Sequence, residues 1–533
     1  MNRTTLSLIA AATALAAVTG FAALSAPDPA ATGDTAEAAA HLPVERTSLL
    51  CPPPSTSDLA ETTYTSFTPV TKGTENKGGA ELRAVERSET GPDDEQDAGD
   101  AEGDESTEGT ESDKDGEDGK SDEGDEGDKG GEGDKPEDPV LAPGEPGKPA
   151  TGDTSGGEAP ALVGTADGRF APGWTVQQTT EVAAGTGRGL QGVTCTAPDT
   201  EFWFPGASTD ADRTDYVHLT NPGDSAAVVD VELYGENGAL ETTVGEGITV
   251  GPHATEPILL STLTEEEQTD VTVHVVVRSG RVGAAVQALD AELGGDWLAA
   301  STDPAGSLVL PGIPKDATAV RLVAFAPGDA DADLKVRLAS PSGLITPAGQ
   351  ETLRVKGGMT AAVDLGDLTR GEAGSLVLTP TNGAVPVVAA VRVLRGEGDA
   401  RESAFIPAAR PVGTRATSAG NTAEGTTLSV TAPEGTARIK VTASAGTEGG
   451  TPASETYTIK SGTTQNIDLP VPDGLKGTYA LTIEPQSDTP VYASRTLTAT
   501  QDDVPAFTVQ TLPDDRGTVA VPKAEEDLSV LQR

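Results

Sequence analysis

The chain has 533 residues, with 84 Asp and Glu against 36 Lys and Arg, for a formal net charge of −48. That surplus excludes recognition of nucleic acid through a basic surface, because phosphate contacts need Lys and Arg in excess. Aromatics make up only 3%, and 2 Cys with 4 His exclude a Cys-rich metal scaffold.

The first element is a short basic start, Met1-Asn2-Arg3, followed by an uncharged Ala-, Leu- and Val-rich run from Leu6 to Ala26. Small residues at Ala23-Leu24-Ser25 and then Pro27 complete the pattern of an export signal over residues 1–26. The run is also about the minimum length for a bilayer span, so a retained single N-terminal membrane anchor is the alternative. Either way the bulk of the chain is expected outside the cytoplasm, secreted or associated with the cell envelope. High Ala, Gly, Thr and Asp with little Lys also suits a high-GC bacterial genome.

Residues 44–87 read as the N-terminal strands of a first module, interrupted by an acidic insertion over 88–160. Within Glu89–Asp138 there are 24 Asp and Glu against 4 Lys, and no aromatic lies between Phe67 and Phe170. Such a segment cannot bury enough apolar surface to offset its backbone entropy, so it is expected to be disordered and extended by self-repulsion. It carries no EF-hand: Asp113-Lys114-Asp115-Gly116 places its Gly too early.

Beyond residue 200 the chain repeats itself. Asn221-Pro222-Gly223-Asp224 precedes Val229, Val231 and Leu233; Ala326-Pro327-Gly328-Asp329, 105 residues on, precedes Leu334, Val336 and Leu338. Val250, Thr255, Ile258 and Leu260 match Val355, Thr360, Val363 and Leu365, and again Ile459, Thr464, Ile467 and Leu469. Alternation of period two predicts half-buried strands, and the spacing of Gly and Pro predicts antiparallel sandwiches. The expected architecture is all-β: tandem Ig-like sandwich modules at 161–300, 305–398 and 403–500, with a C-terminal tail at 501–533. Each module closes its own core, as beads on a string. The Pro-Gly turns are expected to be type II, and Glu265-Glu266-Glu267-Gln268 after Thr264 to be a short helical turn.

An exported chain with two Cys favours a disulfide between Cys51 and Cys195, tying an N-terminal strand to the first module. In the chain-entropy model, closing so long a loop stabilises by about 5 kcal/mol at most.

Catalytic signatures are missing. His41, His218, His253 and His274 have no metal-ligand spacing, and there is no Gly-x-Ser-x-Gly, His-Glu-x-x-His or Gly-rich phosphate loop. No enzyme activity and no cofactor are expected. Trp174, Trp203 and Trp297 cluster in or near module one. Their simplest role is core packing. The functional alternative is a stacking platform for sugar or peptide built on Trp174 and Trp203, with Arg188 as a nearby cation.

The pieces Leu50-Cys51-Pro52, Arg188-Gly189-Leu190, Cys195-x-x-Pro198, Trp203-Phe204-Pro205-Gly206 and Asn221-Pro222-Gly223 resemble an actinobacterial family of secreted proteins, domain of unknown function 5719. The resemblance spans Val44 to Leu497 apart from the acidic insertion, and implies neither an activity nor catalytic residues. The combined expectation is a non-enzymatic extracytoplasmic envelope protein with sandwich modules for interaction or scaffolding. Its partner would be an envelope protein or a cell-wall glycan. The alternative is a carbohydrate-binding accessory to envelope polysaccharide assembly, with an unrecognised hydrolase behind it.

Overall fold

Alternation makes the strands. In Ala332–Ser340, Leu334, Val336 and Leu338 are buried while Lys335 is exposed and Arg337 half-buried. The same pattern recurs in Ala227–Gly235 and Ala437–Ala443. The computed structural model describes residues 40–74, 77–85, 138–501 and 504–521. The expected signal or anchor over 1–26 and residues 88–137 of the acidic insertion lie outside them. Almost every described element is a strand, and all strand pairs are antiparallel. The helical pieces among the described residues are single 3₁₀ turns, and none of them is long and apolar enough to cross a membrane.

Beside two two-stranded ribbons, the described sheets come in four pairs, and each pair repeats one plan of seven strands. The first, third and fifth strands form one sheet with the fifth in the centre. The fourth, second, sixth and seventh form the other, in that order. In the second copy the strands are Glu201–Ala207, Arg213–Asn221, Ala227–Gly235, Ala254–Leu259, Val271–Ser279, Gly283–Asp290 and Gly294–Leu298. The third copy runs from Leu308–Ile313 to Glu402–Pro407, and the fourth from Ala416–Asn421 to Val504–Thr511. Buried residues of both sheets share one apolar cluster in each copy, as Leu334 and Leu376 do with Leu322 and Val391 in the third. This is the sandwich arrangement.

The residues expected to form module one carry two of these copies. Arg46–Cys51, Ala60–Phe67, Ala80–Ala84, Ala150–Ser155, Leu162–Asp167, Thr175–Val182 and Gly189–Thr194 follow the same seven-strand plan. The insertion expected over 88–160 is corrected at its end, because Ala150–Ser155 within it is the fourth strand, paired with Ala60–Phe67. The acidic residues before it fall between the third and fourth strands, where the other copies carry short hairpin strands such as Gly238–Ala239 and Ile248–Val250. The expected tail is likewise partly strand: Val504–Thr511 closes the fourth copy against Tyr492–Gln501.

Residues 44–517 form one compact unit, which replaces the expected string of separate beads. The four seventh strands, Gly189–Thr194, Gly294–Leu298, Glu402–Pro407 and Val504–Thr511, pack in a closed circuit, each against the two that flank it. The first strand of the second copy lies on the sheet that holds the second and sixth strands of the third, that of the third on the same sheet of the fourth, and that of the fourth on the same sheet of the first. Leu50, on the first strand of the first copy, meets Gly283 of the second so closely that a Cβ there would lie 2.9 Å from it. Apolar clusters cross these seams: Phe405 joins the core of the second copy, and Phe507 and Val509 join that of the third. A separate unit contains a two-stranded ribbon, with Ala40–Pro43 opposite Thr518–Val521.

Two local expectations are corrected. Gly223 and Gly328 do not have positive φ, so the Pro-Gly turns are not type II. The Asn221 amide shapes the first one. Its Oδ1 accepts from the Gly223 N–H at 2.9 Å, and its Nδ2 donates to the carbonyls of Ser225, Val250 and Gly251. The helical turn lies at Leu260–Thr262, ahead of the acidic run, and Glu265–Gln268 is irregular. There Thr264 Oγ1 accepts from the Glu266 N–H, a local bond that competes with helix.

Candidate binding cleft

Each seventh strand is followed by an irregular segment, and these segments converge. Residues 195–199, 300–303, 408–410 and 511–516 together line one cleft of about 390 Å³, with Thr47, Leu49, Trp174, Thr175 and Gln177 of the first copy. All four copies therefore contribute. Convergence follows from the fold: a closed circuit of equivalent strands delivers equivalent chain exits to one place.

The lining mixes hydroxyls, carboxylates and apolar surface. Thr194, Thr196, Ser301, Thr302 and Thr511 bring hydroxyls. Asp199, Glu201, Asp303, Asp514 and Asp515 bring five carboxylates, against the guanidinium groups of Arg410 and Arg516. Arg410 is paired with Asp303 at 2.6 Å. Burial pushes the Asp515 carboxyl up, against the pull of Arg415, which also donates to Thr71 Oγ1 and the Pro172 carbonyl. Gln177 is buried. Its Oε1 accepts from the Ala419 N–H at 2.5 Å, while its Nε2 has no acceptor among the described residues.

The Cys51–Cys195 disulfide is present, with 4.5 Å between the Cα atoms, and Cys195 sits in the wall of the cleft. The bond joins the first strand to the end of the seventh and lies within the core of the first copy. The Trp platform is corrected. Trp174 is 4% exposed and donates its indole N–H to Ser66 Oγ at 2.8 Å inside the first copy. Trp203 is 6% exposed, stacked at 3.5 Å on His274, whose ring nitrogens meet Glu201 and Glu232, with Phe325 of the third copy at 5.5 Å. Arg188 donates to the carbonyls of Glu292 and Arg401, linking three copies. Trp174 lies inside the first copy and the other two in different seams, so the three form no common surface. The fold spends these rings on packing because the chain has so few of them.

A second polar cluster, missed by sequence reasoning, sits where the seventh strands meet. Asp296 accepts from the Gly192 N–H at 3.0 Å and from Thr508 Oγ1 at 3.1 Å. Glu402 accepts from the Phe507 N–H at 3.1 Å. Burial pushes Glu402 up to about 7, opposed by the Phe507 N–H and more weakly by Arg188 and Arg395. Burial raises Asp296 as well. His218 borders a smaller apolar pocket of about 60 Å³, and burial pushes it down to about 4. Among the described residues no group of His, Cys, Asp and Glu could hold a metal ion.

The fold thus defines an all-β protein of repeated sandwiches closed on a shared cleft. The chain belongs to the family of unknown function DUF5719, whose model matches residues 150–470, from the fourth strand of the first copy into the fourth copy. No curated protein matches it.

Proposed function

We propose that this is a non-enzymatic, extracytoplasmic protein of the cell envelope that works as a binding scaffold, with the four-copy cleft as its ligand-facing surface. One observation carries the reading. The concave site is assembled from the exits of all four copies, and its wall is tied by a disulfide. A disulfide suits an oxidising compartment. Rigid sandwiches with functional loops at one end are a common way to present a binding surface. The partner is an envelope protein or a cell-wall glycan. Burial of Trp174 and Trp203 removes the platform that a surface-stacking glycan binder would need, so any glycan reading moves to the cleft.

Fractionation of cells into cytoplasm, membrane, wall and medium tests this, with alkylation of free thiols before lysis. The expected result is a protein outside the cytoplasm, with Cys51 and Cys195 protected from alkylation. A cytoplasmic protein with both thiols alkylated would overturn it.

A further inference from the structure

We infer that the cleft takes a short, uncharged oligosaccharide; this rests on reading the protein as an extracytoplasmic binding scaffold. Size is the first argument. A volume of about 390 Å³ lies at the small-ligand end of the usual range for binding clefts, too small for a folded partner to enter.

The backbone supplies the second. An extended peptide is normally held by adding a strand to a free sheet edge. Here many of the main-chain donors of the walls are already engaged. The N–H groups of Cys195, Thr196, Ser301, Thr302, Ala409 and Leu512 donate to Val176, Leu50, Trp203, Ala408, Val309 and Ala493 respectively. Recognition therefore leans on side chains.

Those side chains fit a polyol. Hydroxyls such as Thr194, Thr196, Thr302 and Thr511 both donate and accept, and the Asp199 and Glu201 carboxylates accept. Ala197, Ala300 and Pro513, half-buried or exposed, add apolar surface of the kind that meets the C–H face of a sugar. Charge completes the case: five carboxylates against two guanidinium groups disfavour an anionic glycan, whose groups would have no cation surplus to pair with.

The test is calorimetric titration of the full chain with maltotriose, cellotriose and N,N′,N″-triacetylchitotriose, beside trigalacturonate and trilysine. Two variants accompany it. Thr196→Trp fills the cleft from an exposed position, and Asp199→Asn removes an acceptor's charge. Binding of at least one neutral trisaccharide is expected, weakened about tenfold or more by Thr196→Trp and several-fold by Asp199→Asn, with thermal midpoints unchanged. The proposal falls if no neutral trisaccharide binds, if neither variant weakens binding, or if trigalacturonate or trilysine binds more tightly. Such failure in a protein found outside the cytoplasm, with its disulfide formed, sinks the ligand class alone. A cytoplasmic, reduced protein sinks the reading beneath it.

Discussion

The first and third copies share one strand plan and are held together by different means. The third is aliphatic through and through. Leu310, Leu322, Leu334, Val336, Leu376 and Val391 fill its interior, and Phe507 and Val509 of the fourth copy extend that cluster across the seam. The first puts polar groups on inward positions: Thr62 and Thr180 bond each other at 2.9 Å, and Gln178 is fully buried. Its seams are polar too, through Gln177 to Ala419, Gly192 to Asp296, and Arg415 to Pro172. A disulfide stands where the third copy has only packing. A copy with a thin core and an insertion of dozens of residues draws on covalent and directional bonds for what a full apolar core provides elsewhere.

Removing that covalent tie should give the largest effect. Its partners are separated by 144 residues, so Cys51→Ser with Cys195→Ser is expected to cost up to about 5 kcal/mol. Hydrogen exchange should accelerate over 44–85 and 138–196 while 305–409 stays protected. Equal loosening of both copies would erase the contrast.

The apolar seam is next. Phe507 is 1% exposed, within the third copy's cluster and under the Arg395 guanidinium. Phe507→Ala is expected to cost about 3–4 kcal/mol in urea titration, with the third and fourth copies loosened together. A change below about 1 kcal/mol would mean the seam is not load-sharing.

The polar meeting point responds to pH. Burial raises Glu402 from its ordinary 4.5 to about 7, so the folded state holds this proton more tightly than the unfolded state. The associated stability is fully present below about 4.5 and is lost as pH rises to about 7, by roughly 3 kcal/mol at most. Asp296 contributes in the same direction. Urea midpoints at about pH 5 and pH 8 should differ in the wild type, and Glu402→Gln should shrink the difference. An unchanged difference would remove Glu402 from the account.

Legibility in the sequence follows the same divide. Val229, Val231 and Leu233 alternate with charge, and their counterparts Leu334, Val336 and Leu338 do the same, so period and strand were both readable there. In the first copy the inward positions Thr62, Gln178 and Thr180 break the apolar alternation, and the acidic segment separates the third strand from the fourth. In sequence that copy therefore reads as one module with its neighbour. Cys51 and Cys195 were paired correctly because only two cysteines exist. The cleft was invisible. Its walls are irregular segments without period, brought together only when the fourth copy closes on the first. At Asn221 the neighbouring amide, more than the Pro-Gly pair, decides the turn.

A closed circuit has fixed membership. Solenoids lengthen by adding a unit at either end, since each unit touches only its neighbours. Here the fourth copy already abuts the first, and a fifth would have to force every junction to a new angle. Growth of such a protein is therefore channelled into the connections between strands within a copy. The connection after Ala80–Ala84 is one, and it is there that the chain carries its long acidic excursion.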